Sequence, residues 1–313
     1  MSPSLLLNVA RPWGERDAVQ LGEHALASGL DGVGLADSPR LFPDAWVETQ
    51  RVLAGTTASL VGPCVASLGL RPASTVAGAV RTLEQHHPGR VLAVVGRGES
   101  SVRNEGLAVP SLREYTASLT LLRELLTEDG SLVAGGRLLG AASGPRTITA
   151  TAEALGGVLV DGGADVGVID RAVRLARRDD PGTTVWLFVR AVVTSSEEEA
   201  VAAAEPLIGS CAMRLATSPE WYGIEASQVA AVRAVAESHD YARHGTTGAR
   251  SGTGEADQLV RDRFVLTGSG ASIAKRLRPL AGLGIDGVVL AGALAGVVER
   301  LPELAAALRE GLR

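Results

Sequence analysis

A (β/α)8 barrel carrying an insertion after its seventh strand is the fold this sequence predicts, and three observations lead there. Short, β-branched apolar runs alternate with longer amphipathic stretches along almost all of the 313 residues. The alternation gives eight strand–helix units. Its strands are apolar on both faces, as a parallel sheet enclosed by helices requires. An open doubly wound sheet is the alternative, but it does not normally need eight regular units. The whole chain, 1–313, therefore reads as one domain.

The units follow in order. "SLLLNV" (4–9) is the first strand, and "RDAVQLGEHALASG" (16–29) its helix, with Ala18, Leu21, Gly22, Ala25 and Leu26 on one face and Gly29 as C-cap. "DGVGLA" (31–36) and "FPDAWVETQRVLAG" (42–55) form the second unit, "TASLVGPCVAS" (57–67) and the stretch 73–87 the third. "RVLAVV" (90–95) pairs with a helix over 111–126, where Ser111 and Glu114 have capping-box spacing. Runs at 137–143, 157–162 and 183–193 lead into helices at 146–156, 165–178 and 195–209. "DGVVLAG" (286–292) leads into a closing helix near 294–311. The segment 210–262 breaks the rhythm, and its "HGTTGARSGTGEAD" is glycine-rich and polar. Following the seventh strand, it reads equally as a lid over the barrel mouth or as a surface linker.

Composition narrows the function. The chain is 46% hydrophobic and carries a formal net charge of −5, which leaves no general nucleic-acid footprint. Its longest apolar runs fall far short of a membrane span, and two cysteines are too few for a disulfide framework. The expectation is a cytoplasmic protein acting on a small-molecule substrate, with no membrane or nucleic-acid partner and a homodimer left open. Lys275 is the only lysine among 30 basic residues, so charge recognition must use planar arginine forks, and a Schiff-base mechanism is disfavoured.

In such barrels the site is built by the loops after the strands. Those loops hold Trp13 and Glu15; Asp37, Ser38 and Arg40; Cys64 to Arg71; Gly96 to Ser101; Ser143 to Arg146; Asp161; and Arg190. They are rich in glycine, hydroxyls and arginine and nearly free of histidine. No metal-ligand spacing and no Ser-His-Asp or Cys-His set is visible, so no metal is expected. Such a mouth suits a cofactor that brings its own chemistry. "GRGES" (96–100) lacks the third glycine of a dinucleotide fingerprint, and no helix is expected directly after it. With "SGPR" (143–146), where Pro145 opens a helix, it can present backbone N–H groups to an anion. On that reading Gly98→Val weakens ligand binding without unfolding the barrel. Trp13 and Trp46, in a chain with 3% aromatics, lie near predicted mouth loops and become substrate candidates.

The stretches "ASGLDGVGLADS" (27–38), "GRVLAVVGRGESS" (89–101) with "NEG" (104–106), "AASGP" (141–145) and "LTGSGASIAKRLRPLAGLGIDGVVL" (266–290), in this order, resemble the luciferase-like monooxygenases and their deazaflavin (F420)-dependent relatives. The resemblance covers nearly the whole chain. It implies a barrel holding F420, or alternatively FMN, in its mouth. By position, Asp37 and Ser38 lie near the reactive ring; F420-dependent members often carry Asp-His there, so Ser38 removes a histidine. Cys64 and Val65 match a strand-three cis peptide supporting the ring. Gly96, Arg97, Gly98, Glu99 and Ser100 match the loop touching ring and phosphate, and Ser143, Gly144 and Pro145 the loop at the cofactor chain. Glu99 is the expected proton donor, with Asp37 as the other catalytic candidate. An arginine rim (Arg40, Arg71, Arg97, Arg146) suits an acidic cofactor tail, and Arg190 an anionic substrate group. The expected activity is F420-dependent hydride transfer to or from a small organic substrate. An FMN-dependent monooxygenase and a cofactor-free barrel acting as a binding or partner protein are the alternatives.

Overall fold

The first strand, β1 (Ser4–Val9), lies between β2 (Gly32–Leu35) and the last strand, β10 (Gly287–Ala291), all parallel. This is the first closure a barrel needs. The computed structural model describes residues 2–10, 17–127, 135–240, 254–294 and 296–313. From β2 the ring runs to β3 (Leu60–Pro63), which meets the next position through the Val61–Val91 bridge. The same chain continues as β4 (Ala66–Ser67), which pairs with β5 (Ala93–Gly96). Then come β6 (Leu138–Ala142), β7 (Gly157–Val160) and β8 (Thr184–Val193), which returns to β10. The ring thus has eight positions, and the expected (β/α)8 barrel is present. The third expected strand is divided at Cys64–Val65, whose peptide bond is cis.

Two apolar layers hold it. Leu6, Leu92, Val94, Leu139, Leu159, Trp186 and Val289 form a cluster inside the barrel. Their neighbours in the strands face outward onto the helices: α1 (Ala18–Ala27), α2 (Ala45–Gly55), α3 (Ala73–His86), α4 (Glu99–Asn104), α5 (Leu112–Thr127), α6 (Pro145–Leu155) and α7 (Val166–Ala176). The expected capping box of Ser111 and Glu114 opens α5, with Ser111 N donating to Glu114 Oε2 and Glu114 N to Ser111 Oγ. Three other helices open on aspartate caps. Asp17 accepts from Val19 N, Asp44 from Trp46 N and Asp165 from Val168 N.

The N-terminal face is tied together by arginine forks. Arg90 donates from Nε, Nη1 and Nη2 to the carbonyls of Ala58, Leu53 and Thr56. Arg177 does the same for Thr183, Leu283 and Gly284, and Arg309 reaches Asp31 and the Pro3 carbonyl. One planar group satisfies several loop carbonyls at once, which an ammonium on a flexible stem does not. The arginine-only habit of the sequence therefore has a structural use away from any site.

Between β8 and β10 lies the insertion: α8 (Glu197–Thr217), α9 (Ala226–Glu237), α10 (Glu255–Phe264) and β9 (Val265–Gly268), followed by α11 (Gly270–Leu277) and, after β10, α12 (Leu301–Gly311). The helix expected to stop at 209 continues to Thr217. Pro206 and Gly209 suggest an end, but Ser210, Cys211, Ala212 and Leu215 remain buried beyond them. β9 is a further strand, which the sequence did not disclose. It pairs with the distal half of β8, from Arg190↔Val265 to Val193↔Gly268, because β8 is long enough to serve β7 and β10 first and β9 beyond them. Most of the glycine-rich stretch 244–257 lies outside the described residues, and its last residues open α10. Among the described residues no helix is long and apolar enough to cross a membrane.

Candidate active site at the barrel mouth

Side chains alternate along a strand, so the residues two beyond the inner leucine layer form the layer nearest the mouth. That layer comprises Asn8 after Leu6, Gly34, Cys64, Gly96 after Val94, Ala141 after Leu139, Asp161 after Leu159, Arg190 and Ala291 after Val289. Four of these are glycine or alanine. A Cβ at Gly34 would stand 2.6 Å from Cys64 Cβ and 3.6 Å from Asn8 Oδ1, and one at Gly96 would stand 2.6 Å from Val65 Cγ1. The glycines therefore let the Cys64–Val65 segment press against both neighbouring strands. Burial pushes the Cys64 thiol up to about 12, so it contributes shape and no nucleophile.

Two buried polar atoms at this level have no partner among the described residues. Asn8 Oδ1 and Ser38 Oγ make no hydrogen bond to a described residue, although Ser38 is 4% exposed and Asn8 8%. Buried groups of this kind normally have a partner, and one without calls for an explanation. Asn8 is absent from the sequence-based candidates. Its signal was a lone amide at an inward-facing position of the otherwise apolar "SLLLNV".

The expected residues divide into those the mouth brings together and those it does not. Asp37 is buried, with Arg71 Nε and Nη2 each 3.4 Å from its carboxylate and Ser67 N donating at 3.4 Å. Arg71 also donates to Asp44 at 2.7 Å. This corrects the picture of Asp37 as an available acid or base: it stands under an arginine and holds Ser67 of β4 in place. Gly98 adopts φ 78° and caps α4, so a helix does begin within "GRGES", contrary to expectation. A Cβ on Gly98 would overlap the Ser67 hydroxyl, so Gly98→Val attacks the fold first and is no clean probe of binding. Glu99 is the first residue of α4, its side chain half exposed and 3.4 Å from Arg103, while Ser100 is partly buried beside it.

The arginine rim is largely committed elsewhere. Arg97 donates twice to the Pro110 carbonyl, Arg40 pairs with Glu105 and Arg71 with Asp44, whereas Arg146 is exposed. Gly144 caps α6 without a side-chain cap, with Pro145 at its first position, and the Ser143 carbonyl accepts from Tyr222 Oη at 2.7 Å. Trp46 belongs to the layer between barrel and helices, which corrects its reading as a substrate contact. Trp13 lies outside the described residues.

Arg190 is also corrected. Its Nη1 and Nη2 donate to Asp161 Oδ1 and Oδ2 at 2.6 and 2.9 Å, and it is 4% exposed. The rings of Phe188 and Phe264 lie 4.9 and 5.4 Å from its guanidinium carbon. Arg214 of α8 approaches the same carboxylate, Nε to Oδ2 at 2.6 Å. Burial would raise the Asp161 carboxyl, but the charges of Arg190 and Arg214 outweigh it and hold it at about 2. Sequence order alone did not reveal this partner, since Asp161 and Arg190 stand on neighbouring strands 29 residues apart.

Fold and mouth together define a (β/α)8 barrel whose polar layer lies at the C-terminal strand ends, where such barrels carry their active sites. The chain belongs to the luciferase-like monooxygenase family, whose model matches residues 11–287. Among solved structures it is similar to the F420-dependent tetrahydromethanopterin reductase of Methanopyrus kandleri, at 14% identity and TM-score 0.71, covering 97% of this chain and 98% of that one. It is similar to an F420-dependent secondary alcohol dehydrogenase in complex with an F420–acetone adduct, at 15% identity and TM-score 0.68 over 100% of both chains. A third is the oxygenating constituent of 3,6-diketocamphane monooxygenase from the CAM plasmid of Pseudomonas putida, in complex with FMN, at 14% identity and TM-score 0.59, covering 99% and 97%. No curated protein sequence matches the chain.

Proposed function

We propose that this protein is an F420-dependent oxidoreductase that transfers a hydride between the deazaflavin and a small organic substrate at the barrel mouth. The observation that carries the reading is the mouth layer itself. Gly34 and Gly96 admit the Cys64–Val65 segment into the layer, and beside it Asn8 Oδ1 and Ser38 Oγ are buried without a partner among the described residues. A planar, polar ring system offers such a floor what it lacks, an apolar face with hydrogen-bonding edges. The F420-dependent reductase and dehydrogenase among the similar structures support the choice of cofactor.

When bound, the deazaflavin supplies the carbon that gives or takes the hydride. The chain's own part is to bind, orient and move a proton. Asn8 and Ser38 hold polar edges, and Val65 with Gly96 presents the apolar support. Arg71 and Asp37 fix Ser67 beside the Gly98 turn, so their role is positional. Glu99, half exposed and paired with Arg103, is the group that carries a proton at its carboxylate. The test is turnover with a binding control: the full chain with reduced F420 and a panel of small ketones and enones, beside Asn8→Ala. Oxidation of F420 that depends on the acceptor, with weaker F420 binding in the variant, is the expected result. Oxygen consumption with reduced FMN, and none of the F420 reaction, would transfer the assignment to the monooxygenase.

A further inference from the structure

The ladder between β6 and β7 runs out at Ala142 and Val160. Asp161 N still donates to the Ala142 carbonyl, and the carbonyls of Ser143 and Asp161 lie beyond it. There a hydroxyl from the insertion takes over. Tyr222 Oη donates to the Ser143 carbonyl at 2.7 Å and lies 3.3 Å from that of Asp161. Tyr222 is buried, and burial pushes its phenol up, so the oxygen keeps the proton it donates.

The tyrosine is itself held in place. It stands in the turn between α8 and α9, where its N–H donates to the Ser218 carbonyl at 3.3 Å. Arg171 of α7 donates to the Trp221 carbonyl at 2.8 Å and lies over the indole, while Arg263 of α10 reaches the Gly223 carbonyl at 3.4 Å. The phenol ring packs on Phe264, with centroids 5.5 Å apart. Both chain neighbours of Tyr222 are thus tied to other elements, and the hydroxyl is in position before any ligand arrives. What it fixes follows from peptide planarity. The Ser143–Gly144 bond is trans, so its C=O and N–H point in opposite directions, and holding the Ser143 carbonyl also aims the Gly144 N–H away from Tyr222. That N–H has no partner among the described residues.

Ser143, Gly144 and Pro145 form the loop expected at the cofactor chain. We propose that Tyr222, on the insertion, is the positioning residue of that loop: its hydroxyl sets the Ser143–Gly144 peptide so that the Gly144 N–H meets the acidic chain of the cofactor. The proposal rests on the mouth being a site for a phosphorylated flavin or deazaflavin. It gives the insertion a part in holding the cofactor, exerted through one hydroxyl that itself touches no ligand.

Tyr222→Phe removes the hydroxyl and keeps the ring on Phe264. The test is equilibrium titration of the full natural chain and of this variant, each with F420 and with its phosphate-free chromophore. Thermal unfolding followed by circular dichroism checks that the variant keeps its fold. Loss of the preset peptide should weaken F420 binding about three- to tenfold, the equivalent of one ordinary hydrogen bond, and leave the chromophore within about twofold. Equal weakening of both ligands, which a tyrosine with a merely structural role would give, overturns the proposal. So does F420 binding that the variant leaves unchanged, and either result leaves the proposed cofactor standing. Binding of FMN in place of F420, weakened by the variant while riboflavin is not, would defeat the proposed cofactor and leave Tyr222 its role. Binding of neither F420 nor FMN by the natural chain overturns both.

Discussion

Replacing Asp161 with asparagine removes the carboxylate that two guanidiniums share while keeping its volume. The natural carboxylate meets Arg190 at 2.6 and 2.9 Å and Arg214 at 2.6 Å. Breaking a buried pair in this way costs about 3–5 kcal/mol, chiefly because the cations are left uncompensated. With an unfolding entropy of about 2.1 cal/mol/K per residue, the 313-residue chain loses roughly 5–8 °C in Tm. The pH dependence has a definite sign. A carboxyl held at about 2 against 3.8 stabilises the fold above the unfolded value, and that stability is lost as pH falls through the folded one. The gap between the natural chain and Asp161→Asn should therefore be full at pH 7 and shrink by about 2 kcal/mol between pH 4 and pH 2. Arg214→Gln leaves a neutral pair and should cost no more than about 1.5 kcal/mol, as for one ordinary hydrogen bond. Urea and thermal unfolding followed by circular dichroism measure all three. If Asp161→Asn melts within a degree of the natural chain, or the gap does not change with pH, the charge accounting of this cluster is wrong.

Gly98→Ala should lower stability by about 2–4 kcal/mol, combining a left-handed φ with overlap on Ser67, and denaturant unfolding checks it. Arg90→Lys should cost about 2–3 kcal/mol, since one ammonium cannot serve the carbonyls of Leu53, Thr56 and Ala58 together; a Tm unchanged from the natural chain would show those bonds to be incidental. Glu99→Gln should reduce kcat by roughly 10²–10⁴ while leaving cofactor affinity within several-fold, read from steady-state rates beside an equilibrium titration.

The barrel was legible because its signal is local and repeated. Each strand is apolar on both faces and each helix has one apolar stripe, so order and topology followed from counting units. The additional strand β9 was not legible, because "VLTG" acquires a partner only where β8 overruns its neighbours. The site was less legible for a related reason. An arginine in a mouth loop looks free until its partner is known, and here Arg97 bends to Pro110, Arg71 to Asp44 and Arg190 to Asp161. Those partners lie 13, 27 and 29 residues away, beyond any spacing rule. Asn8 was the opposite case. The polar residue in an apolar strand, in phase with Leu6, was visible from alternation alone.

The central claim is that the small-residue floor beside Asn8 and Ser38 accepts a deazaflavin. Equilibrium titration of the purified full chain with F420 and, separately, with FMN tests it most directly, following quenching of the Trp186 and Trp221 emission and the cofactor's own fluorescence. Saturable F420 binding that is weakened by Asn8→Ala, with FMN binding much more weakly, is the result predicted. Tight FMN binding with no F420 binding, or no binding of either, would contradict it.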